Sequence, residues 1–200
     1  MSQQSENIHP EFSRQVPKSS KEQLLGQKGA VIWLCGMSGS GKSTIANAVE
    51  KILHAEGRMT VILDGDNLRS GINSNLGFTD DDRRENVRRA SQVAKVFSQQ
   101  GIITFVSVIT PRHELRQLAS DVLGDDYHEV YIKADYEVCE QRDVKGLYAK
   151  AAAGEIKNFT GKDSSFEEPA SAALVVDTRT HSIDDSVTTL LEYIRPIITL

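Results

Sequence analysis

The sequence predicts an α/β fold, a parallel β-sheet flanked by helices on both faces. Short apolar runs alternate with longer amphipathic segments along the 200 residues. Such alternation is typical of β–α–β units, whose crossovers place helices on both sides of a sheet. The apolar runs are continuous, with no polar residue at alternate positions, as in strands that are buried on both faces. The length suits a single domain.

The strands are the clearest elements, because each is a short apolar run bounded by polar residues or glycine. The run AVIWLC predicts the first strand at 30–35, and we expect its tryptophan, Trp33, to lie in the core. The second strand ends at Asp64, so that polar residues follow directly at its carboxyl end. The second strand is expected at 60–63, and the remaining three at 102–109, 129–132 and 173–176.

The first half of the chain contains a polar lead-in and one well-defined amphipathic helix. Residues 1–28 form the lead-in, and 21–26 within it predict a short helix. A helix is expected over 42–56, because branched apolar residues recur on one face at helical spacing. Gly57 is expected to end this helix. Residues 29–200 therefore form the predicted domain.

Capping residues indicate where later helices begin. Thr79 is a good N-cap for a helix over 80–100, and the three aspartates that follow it suit the first turn. Pro111 predicts the first position of another helix, where its missing N–H costs nothing. Helices are also expected at 136–142 and 183–194. Between the last two lies a polar segment, 143–169, that is rich in Gly and Lys and has little strand signal.

Composition and charge exclude several classes of protein. Hydrophobic residues make up 39% of the chain and charged residues 26%, so the chain can bury a core. A net charge of −5 argues against a general nucleic-acid binder, which needs an excess of Lys and Arg. No apolar run approaches the roughly 20 residues of a membrane span, and the polar start is unlike a secretory signal. Cys35 and Cys139 are predicted to be buried thiols in a reducing compartment, which we expect to be the cytoplasm.

A phosphate-binding loop follows the first strand. The stretch GMSGSGKS matches the pattern G-x-x-x-x-G-K-[ST], with a buried strand before it and an amphipathic helix after it. Its glycines allow successive N–H groups to point inward at an anion, next to a helix N-terminus. The predicted ATP-binding residues are Gly36, Met37, Ser38, Gly39, Ser40, Gly41, Lys42, Ser43 and Thr44. In this loop Lys42 reaches the β- and γ-phosphates and the Ser43 hydroxyl binds Mg²⁺.

The loop predicts a P-loop NTPase-like fold that uses a nucleoside triphosphate, but it does not identify the acceptor. A GTPase needs a guanine-reading N-K-x-D or T-K-x-D motif, and the sequence contains neither. The sequence DVLG at 121–124 matches D-x-x-G but is expected at the end of a helix, where it has no phosphate to contact. ATP is therefore the expected nucleotide.

Polar residues at the end of the second strand are the first candidates for the acceptor side. Asp64, Asp66 and Arg69 follow that strand, and ligands of open parallel sheets lie at the carboxyl ends of strands. One carboxylate there can take a proton from an attacking hydroxyl, and the other can orient the metal. Taken alone, these residues would be a solvated turn; next to the phosphate loop we assign them to the site.

The charged helix that begins after Thr79 offers further anion-binding groups. Arg83 and Asn86, with Arg69, could converge on an anionic acceptor, because guanidinium forks match sulfate and phosphate oxygens. Many charges on one helix more often form a solvated face. We assign Arg84, Arg88 and Arg89 to that face or to an interface.

From about residue 7 to its end, the sequence resembles the adenylylsulfate kinases, which phosphorylate adenosine 5′-phosphosulfate (APS) on its 3′-hydroxyl. The resemblance rests on the phosphate loop and on several further motifs. The combination of GDN-x-R, GF and DR-x-EN is specific to this family. The motifs are LDGDNLR at 63–69, LGF at 76–78, DRRENVRR at 82–89, RDVKGLY at 142–148, AGEIKNFTG at 153–161 and FEEP at 166–169.

The resemblance implies a role for each matching position. Asp66 corresponds to the base for the 3′-hydroxyl, and Asp64 lies with Ser43 near the metal. Phe78 and Phe159 correspond to aromatics that sandwich the acceptor adenine. The alternative for each is core packing, which suits Phe159 less because its sequence neighbours are polar. The segment 143–169 resembles a mobile lid. The implied catalytic residues are Asp66, Lys42 and Thr110, and the implied acceptor-binding residues are Asp66, Arg69, Phe78, Arg83, Asn86, Ile109, Lys145, Phe159 and Thr160.

The sequence departs from the family pattern at four positions. Thr110 stands where the family commonly has a serine that can carry phosphate. The alternative to such a role is that Ile109 and Thr110 only line the acceptor pocket. His113 replaces a common arginine, Lys162 an apolar residue, and Phe166 a tyrosine. None of these changes touches the phosphate loop or the acidic pair.

Two other functions stay open from the sequence. One is a kinase for a different small hydroxyl compound, such as a nucleoside or sugar acid. The other is a regulator that binds ATP and transfers nothing, which would explain the changed Thr110 and His113. The resemblance further implies a homodimer, to which the charged helix over 80–100 would contribute.

Overall fold

The computed structural model describes His9, Glu11 and residues 14–200; the rest of the lead-in over 1–28 lies outside the described residues. Five strands form one sheet in the order β2–β3–β1–β4–β5, and every neighbouring pair is parallel. The predicted α/β fold with a parallel sheet is confirmed. The strands are β1 Val31–Cys35, β2 Thr60–Asp64, β3 Ile103–Ser107, β4 Tyr127–Lys133 and β5 Leu174–Asp177.

Helices connect the strands, and all the predicted ones are present. Two short helices, α3 and α7, were not expected, because six residues are too few to show an apolar periodicity. The helices are α1 Lys18–Leu25, α2 Lys42–Ala55, α3 Gly65–Ser70, α4 Asp80–Ser98, α5 His113–Leu123, α6 Tyr136–Arg142, α7 Leu147–Ala152 and α8 Ile183–Ile198. Thr79 is the N-cap of α4, as predicted, and it forms a capping box in which Thr79 and Asp82 each accept a hydrogen bond from the other's backbone N–H.

The prediction that Pro111 begins a helix was wrong. The fifth helix begins at His113, and Arg112 before it is extended, with φ −115° and ψ 149°. Pro111 instead accepts a hydrogen bond on its carbonyl oxygen from the backbone N–H of Glu167, at 2.8 Å. The proline therefore holds the end of the polar segment 143–169 against the loop after β3.

The core lies on both faces of the sheet. One cluster packs α2 and α8 against one face, and the other packs α4 and α5 against the opposite face. Trp33 is fully buried in the second cluster, as expected. A third, smaller cluster joins Met37 of the phosphate loop to Tyr148 and Phe159 of the segment 143–169. This last cluster connects the segment to the carboxyl edge of the sheet.

Strand register brings the predicted site residues to one edge. Asp64 and Ser107 are paired positions at the carboxyl ends of β2 and β3, and the phosphate loop follows directly from β1 between β3 and β4. Cys35 and Cys139 are both buried free thiols, as predicted. Among the described residues, no helix has the length and apolar character needed to cross a membrane.

Candidate active site

A cavity of about 430 Å³ opens at the carboxyl edge of the sheet, and most of the predicted site residues line it. It brings the phosphate loop together with residues from α3, α4, the loop after β3 and the segment 143–169. Gly36, Met37 and Ser40 are the predicted residues that do not face it. The predicted residues that line it are Ser38, Gly39, Gly41, Lys42, Ser43, Thr44, Asp64, Asp66, Arg69, Phe78, Arg83, Asn86, Ile109, Thr110, Lys145, Phe159 and Thr160.

A second cavity, of about 460 Å³, is lined by residues of α5, β4 and the segment 170–173. Arg116 is the buried cation beside it, and its guanidinium donates to the carbonyl oxygens of Thr110 and Glu167 at 2.9 and 2.8 Å. None of the predicted site residues lines this second cavity, so we assign the chemistry to the first one.

The phosphate loop requires glycine where it passes close to the sheet. A Cβ atom on Gly36 would lie 2.5 Å from the carbonyl oxygen of Ile132, and Gly41 has a φ of 105°. Lys42 is buried, and its Nζ donates to the carbonyl oxygens of Gly36 and Met37 at 2.8 and 2.7 Å. Burial lowers the pKa of Lys42 to about 8. The ammonium thus lies inside the loop that would surround a triphosphate.

Oxygen atoms suited to a divalent cation lie beside the loop. The Ser43 hydroxyl donates to Oδ2 of Asp64 at 2.5 Å and lies 3.0 Å from the Ser107 hydroxyl. Mg²⁺ prefers such hard oxygen ligands and is commonly held by one carboxylate together with substrate phosphates. In the described part of the chain, no three His, Cys, Asp or Glu side chains form a metal cage. The donor set fits a nucleotide-bound Mg²⁺, as the sequence predicts.

Asp66 lies in the first turn of α3, and Asp64 caps that helix. The Asp64 carboxylate accepts a hydrogen bond from the backbone N–H of Asp66 at 3.0 Å. The Asp66 carboxylate is 68% exposed and forms an ion pair with Lys145. The predicted base and the predicted cation of the segment 143–169 are therefore in direct contact. This contact places Lys145 over the mouth of the cavity.

Phe78 and Arg69 form one side of the cavity. The guanidinium carbon of Arg69 lies 4.5 Å from the centroid of the Phe78 ring, a cation–π contact. Arg69 also donates to the carbonyl oxygen of Gly77 at 2.6 Å, which fixes the loop that carries the ring. Phe78 is 57% exposed, so core packing does not account for it.

Phe159 lies on the segment 143–169, where it packs in the third cluster and also lines the cavity. Its side chain is buried and meets the Tyr148 ring edge to face, with centroids 4.8 Å apart. The expectation that core packing is the less suitable account was therefore only partly right, since Phe159 belongs to the small cluster with Met37 and also lines the cavity. A polar sequence neighbourhood does not reveal such packing, because the partners come from distant elements.

Arg83 and Asn86 lie on the face of α4 that borders the cavity. Arg83 donates through Nε to the carbonyl oxygen of Phe78 at 3.1 Å, and through its other nitrogens to Asn158 and Thr160. It thereby joins α4 to the segment 143–169. Asn86 is buried and accepts a hydrogen bond on Oδ1 from Asn73 at 2.9 Å.

Thr110 is buried, and its hydroxyl is already engaged in the protein. Oγ1 accepts a hydrogen bond from Nε1 of Trp33 at 2.9 Å and donates to the carbonyl oxygen of Val108 at 3.3 Å. A hydroxyl held in this way is not free to take a phosphoryl group. These contacts favour the alternative in which Ile109 and Thr110 line the pocket.

The other departures from the family pattern have packing roles outside the phosphate loop. His113 Nδ1 lies 2.9 Å from Nη2 of Arg116. Lys162 Nζ donates to the carbonyl oxygen of Ala151, and Phe166 stacks on Tyr131 with centroids 5.7 Å apart. Each replacement is accommodated by a specific partner, so none of them disturbs the site.

Three residues that the sequence did not predict, Tyr148, Arg142 and Thr178, donate hydrogen bonds to the phosphate loop. The Tyr148 hydroxyl donates to the carbonyl oxygen of Ser38 at 2.8 Å. Arg142 donates to the carbonyl oxygen of Gly39 and to Thr178, whose hydroxyl in turn donates to the carbonyl oxygen of Ser40. Tyr148 and Arg142 lie in the RDVKGLY motif, so that motif was the available signal. Thr178 follows β5, and only its position at the carboxyl end of a strand could have indicated it.

The fold and the site together define a small-molecule kinase that uses a phosphate-binding loop. Residues 28–177 match the model of the family described as Adenylylsulphate kinase, and the chain belongs to this family. It is 54% identical to the adenylyl-sulfate kinase of Phocaeicola vulgatus over 194 residues, covering 96% of this chain and 95% of the relative. It is 51% identical to that of Bacteroides thetaiotaomicron over 191 residues, which is 95% of each chain. The APS kinase of Mycobacterium tuberculosis, solved in complex with AMPPNP and APS, superposes with a TM-score of 0.81 at 43% identity, over 84% of this chain and 98% of that one.

Proposed function

We propose that the protein is an adenylyl-sulfate kinase, which transfers the γ-phosphate of ATP to the 3′-hydroxyl of APS. The products are 3′-phosphoadenosine 5′-phosphosulfate and ADP, so the enzyme acts in sulfate assimilation. The observation that carries this proposal is that the phosphate loop and the family's acceptor motifs line one cavity. Family membership supports the same reaction.

The phosphate loop binds the triphosphate of ATP. Its backbone N–H groups and the N-terminus of α2 suit an anion, and Lys42 supplies a buried cation beside them. The Ser43 hydroxyl and the Asp64 carboxylate would hold Mg²⁺, since both are oxygen donors in contact with each other. Mg²⁺ held there would neutralise negative charge that develops on the phosphates during transfer. The Lys42 ammonium, inside the loop, stabilises the same charge.

The acceptor APS lies across the cavity from the loop. The Phe78 and Phe159 rings are the surfaces on which its adenine stacks, and such stacking contributes about 1–3 kcal/mol per base in proteins that bind single-stranded nucleic acids. Arg69, Arg83 and Asn86 hold the anionic phosphosulfate. Asp66 takes the proton of the 3′-hydroxyl as this oxygen attacks the γ-phosphate.

The segment 143–169 acts as the lid. Its residues contact Asp66, Arg83 and the carbonyl oxygen of Ser38, so closing it completes both substrate sites. A closed lid excludes water, which competes with the 3′-hydroxyl for the phosphoryl group. We further propose a homodimer in the cytoplasm. Light scattering tests the dimer. The cytoplasmic location is supported by Cys35 and Cys139, which are buried and form no disulfide.

A coupled kinase assay with MgATP tests the function. APS is compared with AMP, adenosine and gluconate as acceptors. We expect product with APS alone, because AMP lacks the sulfate that the two arginines contact. Transfer to another acceptor would instead favour a kinase for a different hydroxyl compound. ATP binding without transfer to any acceptor would favour a nucleotide-binding regulator.

A further inference from the structure

Asn73 is a fully buried polar residue outside the cavity, in the turn between α3 and α4. Its Nδ2 donates to Oδ1 of Asn86 at 2.9 Å. Its own backbone is fixed on both sides, because its N–H donates to the carbonyl oxygen of Leu68 and its carbonyl oxygen accepts from the N–H of Leu76, at 2.8 and 2.9 Å. The side chain therefore meets Asn86 from a fixed position.

The turn is also fastened to α4 by a neighbouring side chain. Arg89 donates to the carbonyl oxygen of Ile72 at 2.9 Å and to Oδ1 of Asn75 at 2.8 Å. Glu85 holds Arg89 in place by accepting from its Nε at 2.7 Å. Glu85 and Arg89 flank Asn86 on the helix, so the turn cannot move away from Asn86 without breaking these contacts.

We propose that Asn73 is a positioning residue, which fixes the side-chain amide of Asn86 so that its N–H groups face the cavity. An amide has one acceptor end and one donor end. Because Oδ1 of Asn86 is taken by Asn73, its Nδ2 is left for the ligand. The phosphosulfate of APS offers only acceptor oxygens, so a fixed donor binds it and a carbonyl oxygen would repel it. This inference rests on the proposed function.

The opposite arrangement of the two amides is disfavoured. In it, Nδ2 of Asn86 would donate to Oδ1 of Asn73, and the two N–H groups of Asn73 would be buried without an acceptor. In the observed arrangement the atom without a partner among the described residues is an oxygen, Oδ1 of Asn73. Buried N–H groups without a partner are rarer than under-satisfied carbonyl oxygens. The pair therefore has a preferred direction.

The substitution Asn73→Asp tests the proposal, because a carboxylate of the same shape can only accept. Asn86 must then turn its Nδ2 inward and present Oδ1 to APS. We expect the KM for APS to rise about 10- to 100-fold, as for loss of a hydrogen bond to a charged group. The KM for ATP should stay within about twofold of wild type, since Asn86 does not belong to the phosphate loop. Asn75→Asp is the matched control, because Asn75 lies in the same turn and its acceptor contact with Arg89 is kept.

A double-mutant cycle separates positioning from a general loss of structure. In an Asn86→Ala background, Asn73→Asp should add nothing to the KM for APS. A KM for APS within about twofold of wild type in the single variant would overturn the inference, and so would an equal effect with and without Asn86. Should the buried carboxylate prevent folding, Asn73→Ala takes its place. It frees the Asn86 amide without adding charge, and its smaller rise in KM must also vanish in the Asn86→Ala background.

The failure of this inference is distinct from failure of the proposed function. Turnover of APS by the wild-type protein reports on the function alone. The ratio of KM values between variant and wild type reports on Asn73. Thermal unfolding of each variant shows whether a change in KM accompanies a change in stability. A positioning role predicts that Asn73 and Asn86 remain coupled in KM when the Asn73 variant with the smaller loss of stability is used.

Discussion

The hydrogen bond between Tyr148 and Ser38 allows a sharp test of how the lid acts on the ATP site. The Tyr148 hydroxyl, on α7 of the lid, donates to a carbonyl oxygen of the phosphate loop at 2.8 Å, and the residue is only 2% exposed. Tyr148→Phe removes this donor and keeps the ring that packs against Phe159. A neutral hydrogen bond contributes about 0.5–1.5 kcal/mol net, and a buried partner left unpaired costs about 1–3 kcal/mol.

We therefore expect the closed lid to lose about 1–2 kcal/mol of its stability relative to the open lid. Since each 1.4 kcal/mol is a factor of ten, the KM for ATP should rise about 5- to 30-fold. The assay is the coupled kinase reaction with ATP varied at saturating APS. The free energy of global unfolding should change by less than the free energy of lid closure. The contact joins the lid to the loop and lies outside the two large clusters on the faces of the sheet.

Tyr136→Phe is the matched control. Tyr136 belongs to the same aromatic group, with its ring centroid 5.2 Å from that of Tyr148, and within the described residues its hydroxyl makes no hydrogen bond. A KM for ATP within about twofold of wild type in Tyr148→Phe would refute the reasoning. An equal rise in Tyr136→Phe would refute it as well, because the effect would then belong to the aromatic packing.

Three further predictions concern single residues of the site. Asp66→Asn should lower kcat about 10²- to 10⁴-fold through loss of the general base and leave the Kd for ATP unchanged by calorimetry; a normal kcat would contradict the assignment. Because burial lowers the pKa of Lys42 to about 8 and bound phosphate raises it again, ATP binding should take up a proton at pH 8 and above. Calorimetry in buffers of different ionisation enthalpy measures this uptake, and Lys42→Met should abolish it. Thr110→Val leaves the buried N–H of Trp33 without its acceptor, so the free energy of unfolding in urea should fall by about 1–3 kcal/mol, whereas Thr110→Ser should retain it.

Much of the fold follows from local sequence. The continuous apolar runs identify the strands, although only β1 and β3 are fully buried and the edge strands β2 and β5 are partly exposed. The N-cap at Thr79 marks the start of α4. Pro111 was misplaced because its fit to a helix start is a local preference. The backbone there is set by distant partners instead: Thr110 has a φ of 46°, and the N–H of Glu167 bonds to the proline carbonyl. α3 and α7 are too short to show an apolar periodicity, and N–H groups in their first turns are bound by the preceding carboxylates of Asp64 and Asp143.

The site residues divide in the same way, into those that the local sequence reveals and those that depend on distant partners. Residues that we propose to contact a substrate are recognisable in the sequence, because the chemistry of phosphate and adenine restricts their type and spacing. Asn86 belongs to that group. Asn73 does not, since within the described residues its side chain hydrogen-bonds to Asn86 alone, and its residue type matters through the direction of one amide. Partner choices of this kind depend on which elements the fold brings together, and a single sequence does not state them.

The contacts of the lid explain why one short segment can control both substrate sites. Lys145 contacts the base, Tyr148 contacts the phosphate loop, and Thr160 contacts Arg83. A lid that closed over ATP alone would leave Arg83 without Thr160, and one that closed over APS alone would leave the Ser38 carbonyl without Tyr148. We infer that a lid making all three contacts covers both sites at once, which limits transfer to water. If so, Tyr148→Phe should raise the ratio of ATP hydrolysis to APS phosphorylation, as measured by comparing ADP release with product formation, and Tyr136→Phe should not.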